Sequence, residues 1–128
     1  MQDTSEHYSV SSLMNLESDK LIEYLDKNFK AEIPVNIDSI DAMQHAGRLL
    51  GICTSNYSFL SSMAIRAKTI KRTLKKTGAD KQNVDEALAK EEIFSIYADI
   101  AKMTYNAVSR MITVKQQIND ELHMTDGR

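Results

Sequence analysis

Three histidines and one cysteine are the side chains of this 128-residue chain best suited to act as bases, nucleophiles or metal ligands. His7, His45 and His123 lie far apart, and no HExxH joins any two of them. A di-iron bundle needs a glutamate three residues before an inward-facing histidine, and neither His45 nor His123 has one. Glu121 and His123 are two apart and so fall on different faces of a helix. His45 and Cys53 would stand about two turns apart on one helix, roughly 12 Å, too far for a thiol–imidazole pair. Cys53 therefore reads as a small packing residue. A lone cysteine also permits no intrachain disulfide and no thiolate cluster. Gly47, Gly51, Gly78 and Gly127 form no phosphate-cradling loop. No catalytic residue, metal ligand or cofactor is assigned, and the expectation is a protein that is not an enzyme.

What the sequence does concentrate is charge. Sixteen bases and 18 acids give a net charge of −2, yet they fall in blocks. Residues 1–41 hold nine acids against three bases, 42–79 seven bases and no acid, and 80–100 six acids against two bases. Arg66, Lys68, Lys71, Arg72, Lys75 and Lys76 make up most of the basic block. Its first reading is pairing with Asp85, Glu86, Glu91 and Glu92, each block also suiting the dipole of its own helix end. Successive helical positions lie about 100° apart, so these six bases cannot all face one helix. Those left over would form an anion or partner-binding site, for a phosphate-bearing ligand or a nucleic-acid strand. No aromatic residue is interleaved among them, which disfavours a platform for stacking single-stranded bases.

These groups must be carried by helices. Residues 1–17, with Tyr8, Val10, Leu13, Met14 and Leu16 scattered among polar residues, read as a flexible or docking arm. Ser18 is placed to cap a first helix over about 18–30, with Leu21, Ile22, Leu25 and Phe29 at helical spacing. Pro34 ends it and leaves residues 31–37 extended. Asp38 should cap a second helix over 39–77, which Gly78 stops. Its stripe is Met43, Ala46, Leu50, Cys53, Tyr57, Leu60, Ala64, Ala67, Ile70 and Leu74, with a bend expected near Gly51–Asn56. Asn83 and Glu86 mark the start of a third helix over 84–122. There Ile93, Tyr97, Ile100, Thr104, Ala107, Met111, Val114 and Ile118 form the seam, widened by Phe94, Ala101, Val108 and Ile112. Tyr57 and Tyr97 are expected in the core, and Tyr105 and Arg110 on a solvated face. The short connection makes the long helices antiparallel. The predicted fold is all-α, one domain over 18–128: a long helical hairpin plus a short N-terminal helix.

From Leu49 to Ile65 the chain carries no charge. Six Ser, Thr or Asn residues in those seventeen argue against a bilayer span. A charge-free soluble helix is ordinarily surrounded by protein, and a hairpin with one short helix cannot surround it. Gly47, Gly51 and Ser55, with Ser58 and Ser62, repeat at intervals that let two helix backbones approach closely. Self-association through this face is expected, as a dimer or larger homo-oligomer that completes a bundle. The alternative is that the first helix and the arm fold back over it.

The segment Tyr105–Lys115 (YNAVSRMITVK), following a long helix rich in small residues, resembles small all-helical accessory proteins of tailed bacteriophages and prophages. The resemblance implies a bacterial cytoplasmic setting and two non-enzymatic jobs, inhibiting a host defence component or assisting phage DNA metabolism. The opening residues lack the basic-then-apolar pattern of a leader, which also fits a cytoplasmic protein with no membrane partner. The leading expectation is a coiled-coil-like binding protein acting on a protein partner. The alternatives are a nucleic-acid binder using the run 66–76 and an oligomer that sequesters a small phosphate-bearing nucleotide.

Overall fold

The computed structural model describes residues 8–126, with side chains through Leu122. His7, the first seven residues of the arm and the side chain of His123 lie outside the described residues. Four helices follow in order: α1 (Val10–Asn15), α2 (Ser18–Asn28), α3 (Ile40–Lys76) and α4 (Lys81–Asp126). The fold is all-α, with α3 and α4 packed as a hairpin and two short helices laid against it.

The helix ends explain the boundaries. Ser39, rather than Asp38, caps α3, its hydroxyl accepting from the Ala42 amide at 3.0 Å. The amides of Asn83 and Val84 both reach the Asp80 carbonyl, so α4 starts at Lys81, a few residues before the expected Asn83 cap. Between the long helices Gly78 adopts φ +73°, and the chain reverses through paired bonds from Gly78 to Lys75 and from Ala79 to Leu74. This is the Schellman arrangement, which satisfies the last carbonyls of α3 and needs a residue at ease in the left-handed region. No break interrupts α3 at Gly51–Asn56; its 37 residues run as one helix of about 55 Å.

The seam between the long helices is rotated from the expected one. On α3 the buried residues are Ala46, Leu49, Cys53, Leu60, Met63 and Ala67. Tyr57, expected in the core, is 40% exposed, and Ile70 is also exposed. On α4 Phe94, Ala101 and Val108, expected only as flanks, are buried beside Tyr97, Ala98 and Thr104. Val114 and Ile118, expected in the seam, are about half exposed. A helix with apolar residues on more than a third of its circumference leaves its orientation to whichever neighbour packs best, and periodicity does not choose between adjacent stripes.

That neighbour is the N-terminal segment. Part of the expected arm is α1, capped by Ser9 and anchored through buried Leu13 and Met14. With Leu21 and Leu25 of α2 they join Leu60, Met63, Ala67, Phe94, Tyr97 and Ala98 in one core. A second, smaller core at the open end gathers Ile37, Ala46 and Val108. Ile37 enters it from the linker, held by Asp38 at 3.2 Å from Lys115. Tyr97 ties the layers together by donating its hydroxyl to the Asp26 carboxylate of α2. That hydrogen bond is the main reason the Asp26 carboxyl titrates below its ordinary 3.8, with Lys30 adding to it. Burial first, and then Asp26, raise Tyr97 to about 12.

Gly78→Ala should lower the unfolding free energy by about 1–2 kcal/mol, the cost of a Cβ in the left-handed region, in urea denaturation. Tyr97→Phe should lower the melting temperature at neutral pH by a few degrees. Asp26, with its pKa depressed by folding, contributes stability above pH 3.8 that is lost as pH falls below it. Tyr97, with its pKa raised, contributes below pH 10 and loses that contribution towards about 12. The gap between wild type and Tyr97→Phe should therefore be widest between these limits and narrow at both ends.

Candidate ligand-binding site

Helix α2 buries Leu21 and Leu25 and turns a polar face outward. Lys20, Glu23, Tyr24 and Lys27 stand at i, i+3, i+4 and i+7, one continuous strip of a 3.6-residue helix. Tyr8, from the stretch before α1, closes over that strip with its ring 5.1 Å from Tyr24 and nearly perpendicular to it. Asn28 completes the wall. The result is a cleft of about 210 Å³ between Tyr8 and α2, lined by Tyr8, Lys20, Glu23, Tyr24, Lys27 and Asn28.

Its chemistry is specific. Lys20 and Lys27 line the cleft and take part in no salt bridge among the described residues. The Asn28 amide nitrogen donates to the Tyr24 carbonyl at 2.8 Å, which fixes the side chain and leaves its oxygen to accept. Tyr24 is held in place by a run of rings, to Phe29 at 6.2 Å and from there to Phe59 of α3, stacked at 5.5 Å and 5°. Cations, aromatic faces, an amide oxygen and the Glu23 carboxylate thus converge on one small concavity.

The basic run expected to bind anions is dispersed. Lys71 turns inward and pairs with Glu91 at 2.6 Å, both about four-fifths buried. This is the only one of the expected pairings between the two charge blocks among the described residues. Arg66 lines a larger groove of about 680 Å³ between α1 and α3, walled by Val10, Met14, Ile65 and Ile70. That groove offers a single cation and no ring. Lys68, Arg72, Lys75 and Lys76 are exposed, distributed around the helix end, with no aromatic residue among them.

Gly47, Gly51, Ser55, Ser58 and Ser62 all lie exposed on the side of α3 away from α4. A Cβ on Gly47 or Gly51 would meet nothing within 4 Å, so neither glycine serves a close crossing among the described residues. Among the described residues, this side of the charge-free stretch is left exposed. Part of its polarity is absorbed locally, as the Thr54 hydroxyl donates to the Leu50 carbonyl at 2.8 Å. On another side of the hairpin Tyr57 and Tyr105 meet Cys53, Thr54, Lys102 and Asn106 around a hollow of about 270 Å³. Burial raises the Cys53 thiol, which works against a nucleophilic thiolate there. Arg110 stands exposed beyond it. Among the described residues no three His, Cys, Asp or Glu gather as metal ligands, and no helix is long and apolar enough to cross a membrane.

Comparison with family models, with curated proteins and with solved structures gives no match to this chain. The cleft is therefore read from its own geometry. Sequence reasoning passed over it because two lysines in an acidic block do not register as a basic patch. The usable signal was the spacing of Lys20, Tyr24 and Lys27 on the polar side of an amphipathic helix. Tyr8 was legible only as one apolar residue of a docking arm, since its approach to α2 depends on how the chain folds back.

Proposed function

We propose that this protein acts by binding and that its ligand is a small phosphate-bearing nucleotide, seated in the Tyr8–Tyr24 cleft and sequestered there without chemical change. The convergence on one cleft of two tyrosine rings and two lysines that join no salt bridge among the described residues carries this reading. Ammonium groups attract phosphate oxygens, an aromatic face or edge accepts a base, and Asn28 and Glu23 offer acceptors to a base amino group. The cleft is below the roughly 300 Å³ of complete small-molecule pockets. It accordingly seats one ring, with the phosphate lying over Lys20 and Lys27. The concentration of recognition groups is what distinguishes this cleft from the larger Arg66 groove.

A second reading, a protein partner and a homo-oligomeric frame, is favoured by the exposed, charge-free face of α3 around Gly47, Gly51 and Ser55. The resemblance of Tyr105–Lys115 to phage and prophage accessory proteins supplies a bacterial cytoplasmic setting for either reading, with a host defence component as one such partner.

Calorimetric titration with a panel of mono- and dinucleotides, and inorganic phosphate as control, tests the first reading. At least one nucleotide should bind, and Tyr24→Ala and Lys27→Glu should each weaken it by tenfold or more. The pair Lys68→Glu and Lys75→Glu should leave affinity almost unchanged. Loss of binding in that pair with retention in Lys27→Glu would move the site back to the basic run. For the second reading, Gly51→Leu should lower the solution mass measured by light scattering without lowering the melting temperature of the single chain, because the added side chain meets open space.

A further inference from the structure

Helix α4 carries a second apolar stripe beside the one that faces α3. Ile96 is 57% and Met103 68% exposed, and Val114 and Ile118 are about half exposed. Ile100, Ala107 and Met111 continue the stripe between them, half-buried. Part of its edge is bordered by the chain, where α2 packs beside Ile93 and Ile100 and Met111 packs against the Ile37 core, and Ile96, Met103, Val114 and Ile118 stay exposed. The helix also outreaches its partner. Asp38, just before α3, pairs with Lys115, and α4 continues from there to Asp126.

The order of the stripe is symmetric. From Ile96 the apolar residues step by 4, 3, 4, 4, 3 and 4 positions to Ile118, the same read in either direction. Two antiparallel copies centred on Ala107 therefore place Ile96 opposite Ile118, Ile100 opposite Val114 and Met103 opposite Met111, with Ala107 against itself. The smallest side chain falls on the two-fold axis, where two helices come closest. Charge follows the same symmetry. Asp99 and Arg110 are exposed, and neither joins a salt bridge among the described residues. In this register Arg110 of each copy lies little more than a turn from Asp99 of the other, within reach of its long side chain.

We propose that a second copy of this chain docks on α4, antiparallel about Ala107, as an isologous helix pair that buries the stripe and exchanges Asp99–Arg110 contacts. This surface is distinct from the Gly47–Ser62 face of α3 and from the tyrosine–lysine cleft, and does not depend on the reading of either.

The test uses the full chain with Cys53→Ala to remove the native thiol. Ala107→Cys in that background should give a covalent dimer with a short bifunctional maleimide. Thr113→Cys, exposed but off the stripe, should give none. Arg110→Asp should weaken self-association by tenfold or more in sedimentation, and adding Asp99→Arg should restore most of it. The restoration separates a charge exchange between copies from a fold damaged by either substitution. Cross-linking at Thr113→Cys as readily as at Ala107→Cys would overturn the proposal, as would a wild-type chain that sediments as a monomer at micromolar concentration.

Discussion

Two helices packed side by side have one seam to bury, and a groove is left open along each side of it. How this chain covers one of those grooves decides most of its structure. The seam of α3 and α4 uses small residues for much of its length, Ala46, Cys53 and Ala67 against Ala98, Ala101 and Val108, which draws the helices together but buries little area per turn. The large side chains come from the third layer. Leu13, Leu21 and Leu25 insert beside Leu60, Met63 and Phe94, and each is almost wholly removed from water. Full burial of one such side chain is worth about 1.5–3 kcal/mol, so this half of the hairpin holds most of the hydrophobic stabilisation. Among the described residues, the open end has the Ile37 core and one ion pair, Asp38–Lys115, to match it.

The same layer explains what was legible in the sequence. The two long helices are written in strong periodic signals and in Gly78, whose conformational freedom is needed at one position only. Which stripe of each helix faces inward was not legible, because α4 has apolar residues on two adjacent stripes. Phe94 won the buried place over Ile93 through contacts with residues more than sixty positions earlier. Tyr57 is the converse: correct by spacing, yet turned to a hollow it shares with Tyr105. Of the candidate sites, the small-residue face lies exposed on α3. Of the basic run, expected to divide between pairing and an outward site, Lys71 pairs with Glu91 and Arg66 lines a different groove. The tyrosine–lysine cleft escaped notice because it depends on the fold-back of Tyr8.

Aromatic continuity joins that cleft to the core. Tyr8 meets Tyr24, Tyr24 meets Phe29, and Phe29 stacks on Phe59, so four rings run from the cleft to the surface of α3. Tyr97 and Asp26 fix the same helix to α4 from its other side. Lys20, Tyr24 and Lys27 are thus presented by a short helix held at two separate points, which is the kind of preorganisation that limits the entropic cost of binding.

The position of the cleft also sets what a ligand would do to the molecule. Its walls are Tyr8, which belongs to the stretch leading into α1, and the outer face of α2. A ligand bridging them strengthens the contact of two short segments with each other rather than any contact of the long helices. Helices of six and eleven residues are marginal by themselves and owe their form to docking. Free energy contributed at Tyr8 and Lys27 therefore stabilises the layer most ready to open, while the α3–α4 seam is untouched. Occupancy would be felt first as protection of the α1 and α2 amides from exchange and only then as a higher unfolding temperature, because local opening costs less than global unfolding. The faces around Gly51 and Ala107 lie on the long helices, so assembly through either would act on the hairpin instead. Ligand and partner would in this way stabilise different layers of one small fold.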